Sequence, residues 1–301
     1  MPTAMQTRSV VVPSADATPI FVRVHRPVQG PAERTLLIVH GMGQHGARYR
    51  PLAERAVRRG WRVVAGDLRG HGRSGGVPTH LDRFDQYLAD LDAVVSAVGI
   101  EPERTAIFAH SMGGLAAARY LQTRETGIRG VVLSSPLLAL KVRVPQVKRA
   151  VGRLCTLMAP RMRFRTRICE SQITSNPQAL ELRRNDPLGR QSVTAGWNFQ
   201  VLDAVCEMWA QADRLTLPLL LLQGGGDCLV DPEATYRWLP RVASCDKTLM
   251  ILPDRLHELL NEPGWEDTVD EVLTWLDRRL PGREMIRRSS SQPPPQSRCS
   301  A

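Results

Sequence analysis

The chain has 301 residues, 43% hydrophobic and 5% aromatic, with a formal net charge of +10, long enough to bury a sizeable core in one large domain or a domain with an insertion. The cationic excess comes from 37 arginines against 3 lysines, and no basic stretch interleaves aromatics as single-strand nucleic-acid platforms do, so nucleic-acid binding is not indicated. Six cysteines without C-x-x-C spacing point to neither a zinc site nor a disulfide scaffold. Met1 to Ser9 lacks a secretory apolar core, and no apolar run approaches the ~18 residues of a membrane span, so the expected location is cytoplasmic.

In chain order, residues 7–13 and 19–26 read as two strands around the turn-rich Ser14-Ala15-Asp16-Ala17. Thr35 to Val39 is a continuous apolar run of the kind buried on both faces. It ends in His40-Gly41-Met42-Gly43-Gln44-His45-Gly46, and a helix follows to about Arg59. Trp61 to Ala65 is the next strand, closing in Gly66-Asp67, and a glycine-rich loop from Leu68 to Gly76 leads to a helix over about 84–98. Strands at 105–108, 130–134, 217–222 and 248–252 and helices after 111, near 232–239 and at 265–280 complete the pattern. Strands alternating with helices predict an α/β fold with a mostly parallel sheet covered on both faces. From 137 to 213 the strand rhythm gives way to helical and basic patterns. The expected division is a core of 1–136 and 214–280, a helical cap of 137–213, and a disordered polar tail of 281–301.

Ala109-His110-Ser111-Met112-Gly113 places small residues two positions either side of a serine, between an apolar strand and a helical pattern. That is the form of a nucleophile elbow, where bulky side chains at the flanking positions would clash in the turn. The helix that starts there aims its N–H groups at the place where negative charge develops on a reacting carbonyl. A serine hydroxyl needs a base within hydrogen-bond reach. Six of the seven histidines precede Ser111, and only His257, on the loop after the final strand, follows it. The acid is expected at the end of the preceding strand, where Leu219 to Gln223 runs into Gly224-Gly225-Gly226-Asp227. Asp231 is the near rival, but it precedes Pro232 and suits a helix cap. The oxyanion hole needs two backbone N–H groups, expected from Met112 and Met42.

Two readings from other classes compete. Gly41-Met42-Gly43-Gln44-His45-Gly46 matches the G-x-G-x-x-G dinucleotide fingerprint, with Asp67 about 20 residues on. Against it, two strands precede the motif, His40 places a bulky polar group at the strand end, and the Ser-Asp-His order would be coincidence. A non-catalytic binding protein on a hydrolase scaffold is the other, and the intact triad argues against it.

The residues just named, with Arg48-Tyr49, Asp67 to Gly75, Val230-Asp231-Pro232 and His257-Glu258, resemble the monoacylglycerol lipase and lysophospholipase branch of the α/β-hydrolase superfamily, which also contains serine aminopeptidases. The resemblance covers roughly residues 32 to 278. It implies an α/β-hydrolase fold, a cap inserted after the sixth strand, a small-molecule lipid ester as substrate and no cofactor or metal, with a serine aminopeptidase or broad carboxylesterase as the alternatives. Two departures stand out: Ala109 where the elbow usually has glycine, and Gln44 and Gly46 where this branch usually has Glu and Ser.

Within the cap, Val144, Val147, Val151, Leu154 and Met158 fall on one helical face and Lys148, Arg149 and Arg153 on the other, with Pro145 in the first turn and Pro160 as the stop. A basic amphipathic helix reads as an element that faces an anionic membrane surface peripherally.

Overall fold

A computed structural model describes residues 4–141, 152–153, 156–166 and 168–282. Among them the strands are β1 (Met5–Pro13), β2 (Pro19–Pro27), β3 (Arg34–Val39), β4 (Trp61–Gly66), β5 (Thr105–His110), β6 (Gly130–Ser134), β7 (Arg163–Arg165), β8 (Ser192–Thr194), β9 (Leu219–Gly224) and β10 (Lys247–Leu252). The α-helices are α1 (Arg50–Arg58), α2 (Asp85–Ala97), α3 (Met112–Thr123), α4 (Pro177–Arg184), α5 (Ala195–Ala210), α6 (Pro232–Trp238) and α7 (Trp265–Arg279).

Eight strands form one sheet in the order β1-β2-β4-β3-β5-β6-β9-β10. The β1–β2 and β2–β4 pairs are antiparallel and every other pair is parallel. The continuous apolar strands are explained by a core on both faces. Leu37, Val39, Ile107, Val131 and Leu221 join a cluster with α2, α3 and α5. Their neighbours Leu36, Ile38, Phe108, Val132 and Leu220 face the opposite way and pack with α1 and α7. With the fully parallel strands β3, β5, β6, β9 and β10 ending on one edge, the loops that follow them converge there, where open α/β sheets present their ligand sites.

β6 and β9 are neighbours in the sheet, and the chain between them is read as an insert. Besides α4 and α5 it holds a small sheet, β7 paired antiparallel with β8, which a purely helical reading of 137–213 does not anticipate. These three-residue strands are short, and all of β7 is exposed, so neither presents an alternating pattern. The segment predicted as an amphipathic helix is only partly visible: residues 152–153 and 156–158 are helical, while Lys148 and Arg149 lie outside the described residues. So does the polar stretch after Gly282.

Candidate active site

The elbow follows from local sterics. Ser111 caps α3 with φ 54° and ψ −120°, a conformation costly for a residue with a Cβ and held by its surroundings. Ser111 N–H donates to Ser134 O at 3.0 Å, and Ser111 O accepts from Leu115 and Leu137 amides. A Cβ on Gly113 would lie 2.4 Å from the carbonyl oxygens of Val39 and His40, so α3 can approach β3 only with glycine there. Ala109 is wholly buried on β5, and its one methyl is accommodated where glycine is more usual.

The structure brings Ser111, His257 and Asp227 together. Ser111 Oγ lies 2.9 Å from His257 Nε2, and His257 Nδ1 lies 2.7 Å from Asp227 Oδ2. An ionised carboxylate only accepts, so Nδ1 carries the proton and Nε2 is left to accept from the serine hydroxyl. Asp227 is fully buried. Its Oδ1 accepts from the Leu229 and Val230 amides at 2.8 and 3.0 Å. Burial pushes its pKa up, but the hydrogen bond and charge of His257 and those two amides outweigh it and hold the carboxyl below its ordinary value. Asp231 instead caps α6, accepting from Glu233 N–H, and pairs with Arg237 at 3.0 Å.

The loop after β3 faces Ser111. A Cβ on Gly41 would sit 3.3 Å from Ser111 Cβ. Among the described residues, neither the Met42 nor the Met112 N–H donates a hydrogen bond within the protein, which leaves both available to a ligand oxygen. His40, fully buried, accepts from Leu68 N–H at Nε2 and so donates from Nδ1 to Gly41 O at 2.8 Å. Burial and the neighbouring His71 keep its pKa well below the usual value. The His110 ring lies 4.9 Å from that of His257; burial, with repulsion from His257, lowers it to about 4.

A further set of side chains completes the site. Gln44 Oε1 accepts from Gly41 N–H at 3.0 Å and from Tyr49 Oη at 2.7 Å, closing the turn that holds Met42. Gln44 Nε2 donates to Glu258 Oε1 at 2.8 Å, and Arg183 of α4 donates to the same oxygen at 3.0 Å. Glu258 Oε2 accepts from Asn261. Burial opposes ionisation of Glu258, but Arg183 and its other partners hold its pKa below the ordinary value. Gln44 was legible as a departure and Glu258 as the neighbour of His257; their pairing was not.

The glycine motif of this loop does not present a free anion cradle. The carboxylate of Asp186 sits against it, 2.9 Å from His45 Nε2 and 2.7 Å from Arg48 Nη2, where a pyrophosphate would need unneutralised donors. Arg190 O stands 2.2 Å from where a Cβ on Gly43 would be. Among the described residues no group of three or more His, Cys, Asp or Glu is arranged to hold a metal ion, and no helix is long and apolar enough to cross a membrane.

Comparison with known proteins agrees with this architecture. Residues 30–264 match the family described as serine aminopeptidase, S33. The chain is 32% identical to rat (Rattus norvegicus) monoglyceride lipase over 273 residues, covering 89% of each. It is 29% identical to phospholipase YtpA of Bacillus subtilis over 247 residues, covering 81% of this chain and 95% of that one. The crystal structure of Paleococcus ferrophilus monoacylglycerol lipase superposes with a TM-score of 0.79 at 28% identity, covering 86% of this chain and 99% of that one. With the sheet order, the elbow and these matches together, the chain belongs to the serine aminopeptidase S33 family of the α/β-hydrolase superfamily.

Proposed function

We propose that this protein is a serine hydrolase that cleaves carboxylic esters of lipids, of the monoacylglycerol or lysophospholipid class. The observation that carries the reading is the unbroken hydrogen-bond chain from Ser111 Oγ through His257 to Asp227 Oδ2. In the first half-reaction Ser111 Oγ attacks the ester carbonyl as His257 Nε2 takes its proton, and Asp227 stabilises the imidazolium. The Met42 and Met112 amides face the oxygen on which charge develops. His257 then returns the proton to the departing alcohol. Water, deprotonated by the same nitrogen, hydrolyses the acyl-enzyme and frees Ser111.

An ester is favoured over an aminoacyl amide by the state of the nearby acid. An aminopeptidase needs a carboxylate free to meet the substrate ammonium, whereas Glu258 is already engaged by Arg183, Gln44 and Asn261. The lipid part of the reading draws on the monoglyceride lipase and phospholipase relatives. The insert, read as a cap over residues 137–213, presents Leu157 and Met158 at 80% and 84% exposure, with Met162 and Phe164 close by in sequence. Exposed apolar side chains among Arg161, Arg163 and Arg165 suit peripheral contact with an anionic lipid surface. Arg153, named above for that role, is exposed but paired with Asp203 at 2.9 Å, so the apolar side chains carry more of the contact than it does.

The test is a substrate panel joined to active-site labelling. A fluorophosphonate is expected to modify Ser111. Among p-nitrophenyl esters, monoacylglycerols, lysophospholipids and aminoacyl anilides, a lipid ester is expected to be turned over fastest. Labelling elsewhere sinks the nucleophile assignment, and faster cleavage of an aminoacyl anilide than of any monoacylglycerol reverses the substrate ranking.

A further inference from the structure

The turn that follows α4 is tied to the oxyanion loop at three points. Asp186 Oδ2 accepts from His45 Nε2 at 2.9 Å and from Arg48 Nε at 2.8 Å. Arg190 N–H donates to Gly43 O at 3.1 Å. The turn is itself fixed, since Leu188 N–H donates to Asp186 Oδ1 at 2.9 Å and Gly189 N–H to Asp186 O at 3.1 Å. Gly43 has φ +73°, and its missing side chain is what lets the Arg190 backbone lie against it. One turn earlier, Arg183 reaches Glu258, which holds Gln44 and through it the Gly41 amide. Two routes therefore run from the same short stretch of the insert to the same five-residue loop, and that loop carries the Met42 N–H.

Resting on the reading of Ser111 as nucleophile and Met42 N–H as oxyanion donor, we infer that Asp186 is a positioning residue through which the insert sets the oxyanion loop. The Met42 amide is aligned only while the 186–190 turn is seated. The same turn belongs to the insert read above as a cap, so seating of that insert and competence of the oxyanion hole become one event. The Asp186 carboxylate is suited to this. Its side chain is only 13% exposed; burial pushes its pKa up, but Arg48, Leu188 and His45 together hold it below the ordinary value. It thus remains a charged acceptor for both donors. The bland alternative is a buried ion pair that contributes only to folding. The two differ in what happens at each intact site, because an oxyanion donor displaced by about 1 Å slows the chemical step and does not remove molecules from the active pool.

The experiment is Asp186→Asn and Asp186→Glu, assayed on p-nitrophenyl acetate, too short to report on acyl-chain binding. Turnover is normalised to Ser111 sites titrated by a fluorophosphonate. Asp186→Asn is expected to lower kcat per titrated site about 10- to 100-fold with KM within roughly threefold, and Asp186→Glu to recover part of the loss. If Asp186→Asn does not fold, Gly43→Ala keeps every charge and presses on the Arg190 carbonyl, and the same loss per site is expected. Unchanged kcat per titrated site in whichever of these variants folds, or a change confined to KM, overturns the inference. Failure of the wild-type protein to label at Ser111 would instead overturn the reading on which it rests.

Discussion

Asp227 meets His257 with one carboxylate oxygen and the amides of Leu229 and Val230 with the other. Its position is therefore fixed by the backbone of its own loop before the imidazole is added. Asp227→Asn keeps that shape but cannot stabilise the imidazolium, and a comparable change in a serine protease lowers turnover by about 10⁴. Asp231→Asn should leave turnover nearly intact and cost at most about 1 kcal/mol, as for a weakened helix cap. Steady-state kinetics on both variants, matched by thermal melting, separates them; a larger kinetic defect in Asp231→Asn would assign the acid to the wrong residue.

Ser111→Ala and His257→Ala are each expected to lower ester turnover by several orders of magnitude. The double variant should be no worse than the weaker single variant by more than a few-fold, since the two groups act as a unit. Circular dichroism should change little in either variant, and the melting temperature should hold in Ser111→Ala but fall in His257→Ala, which leaves the buried Asp227 carboxylate without its imidazole. Additive losses in turnover would mean that the two act in separate steps.

Stability should begin to fall on the acid side at an unusually high pH. His71 and His110 are both pushed down to about 4, chiefly by burial. Each donates Nδ1–H to a carbonyl, Arg69 O and Ser134 O respectively, and His71 Nε2 has no partner among the described residues. A second proton on His71 would therefore be buried without an acceptor. Because the folded values lie below the ordinary 6.5, the unfolded chain takes up protons first. The stabilisation is fully present above pH ~6.5 and is lost as pH falls toward ~4, on the order of 2 kcal/mol per histidine at pH 5. Urea midpoints measured from pH 8 to 4.5 check this; a flat profile down to pH 5 would show that these rings do not resist protonation.

Vesicle binding tests the exposed part of the insert. The double change Leu157→Ser and Met158→Ser should weaken association with anionic vesicles at least about tenfold, given roughly 1.5–3 kcal/mol for each large apolar side chain fully buried. Hydrolysis of a short soluble ester should be unaffected. Added salt should weaken binding of the parent protein through its cationic side chains. Equal binding of parent and variant at low salt would leave Leu157 and Met158 as ordinary exposed residues.

The strands were legible because burial on both faces makes them continuous apolar runs, as Leu219 to Leu222 show. The meeting of Ser111, His257 and Asp227 was legible because an elbow, a strand end and a single later histidine occur in a fixed order. Four things were not. The β7–β8 pair is too short and too exposed to leave a period. The Gln44–Glu258 contact joins residues 214 apart, and Arg48–Asp186 joins residues 138 apart. No local pattern encodes such pairs, which exist only once the loops after β3 and β10 and the insert come together. The pairing of Arg153 with Asp203 on α5 was hidden for the same reason.

The crossover from β6 to β9 also has a consequence in time. Ser111 is translated 146 residues ahead of His257, and the whole insert is made between them. A ribosome-bound chain thus carries Ser111 through about half of its synthesis without His257. β6, already paired with β5, must wait for β9 before its other edge is covered. Reactivity should switch on late and abruptly, when the last strand and the loop bearing His257 clear the exit tunnel. An incomplete chain is then a harmless one, unable to attack the acyl lipids around it until it has finished folding.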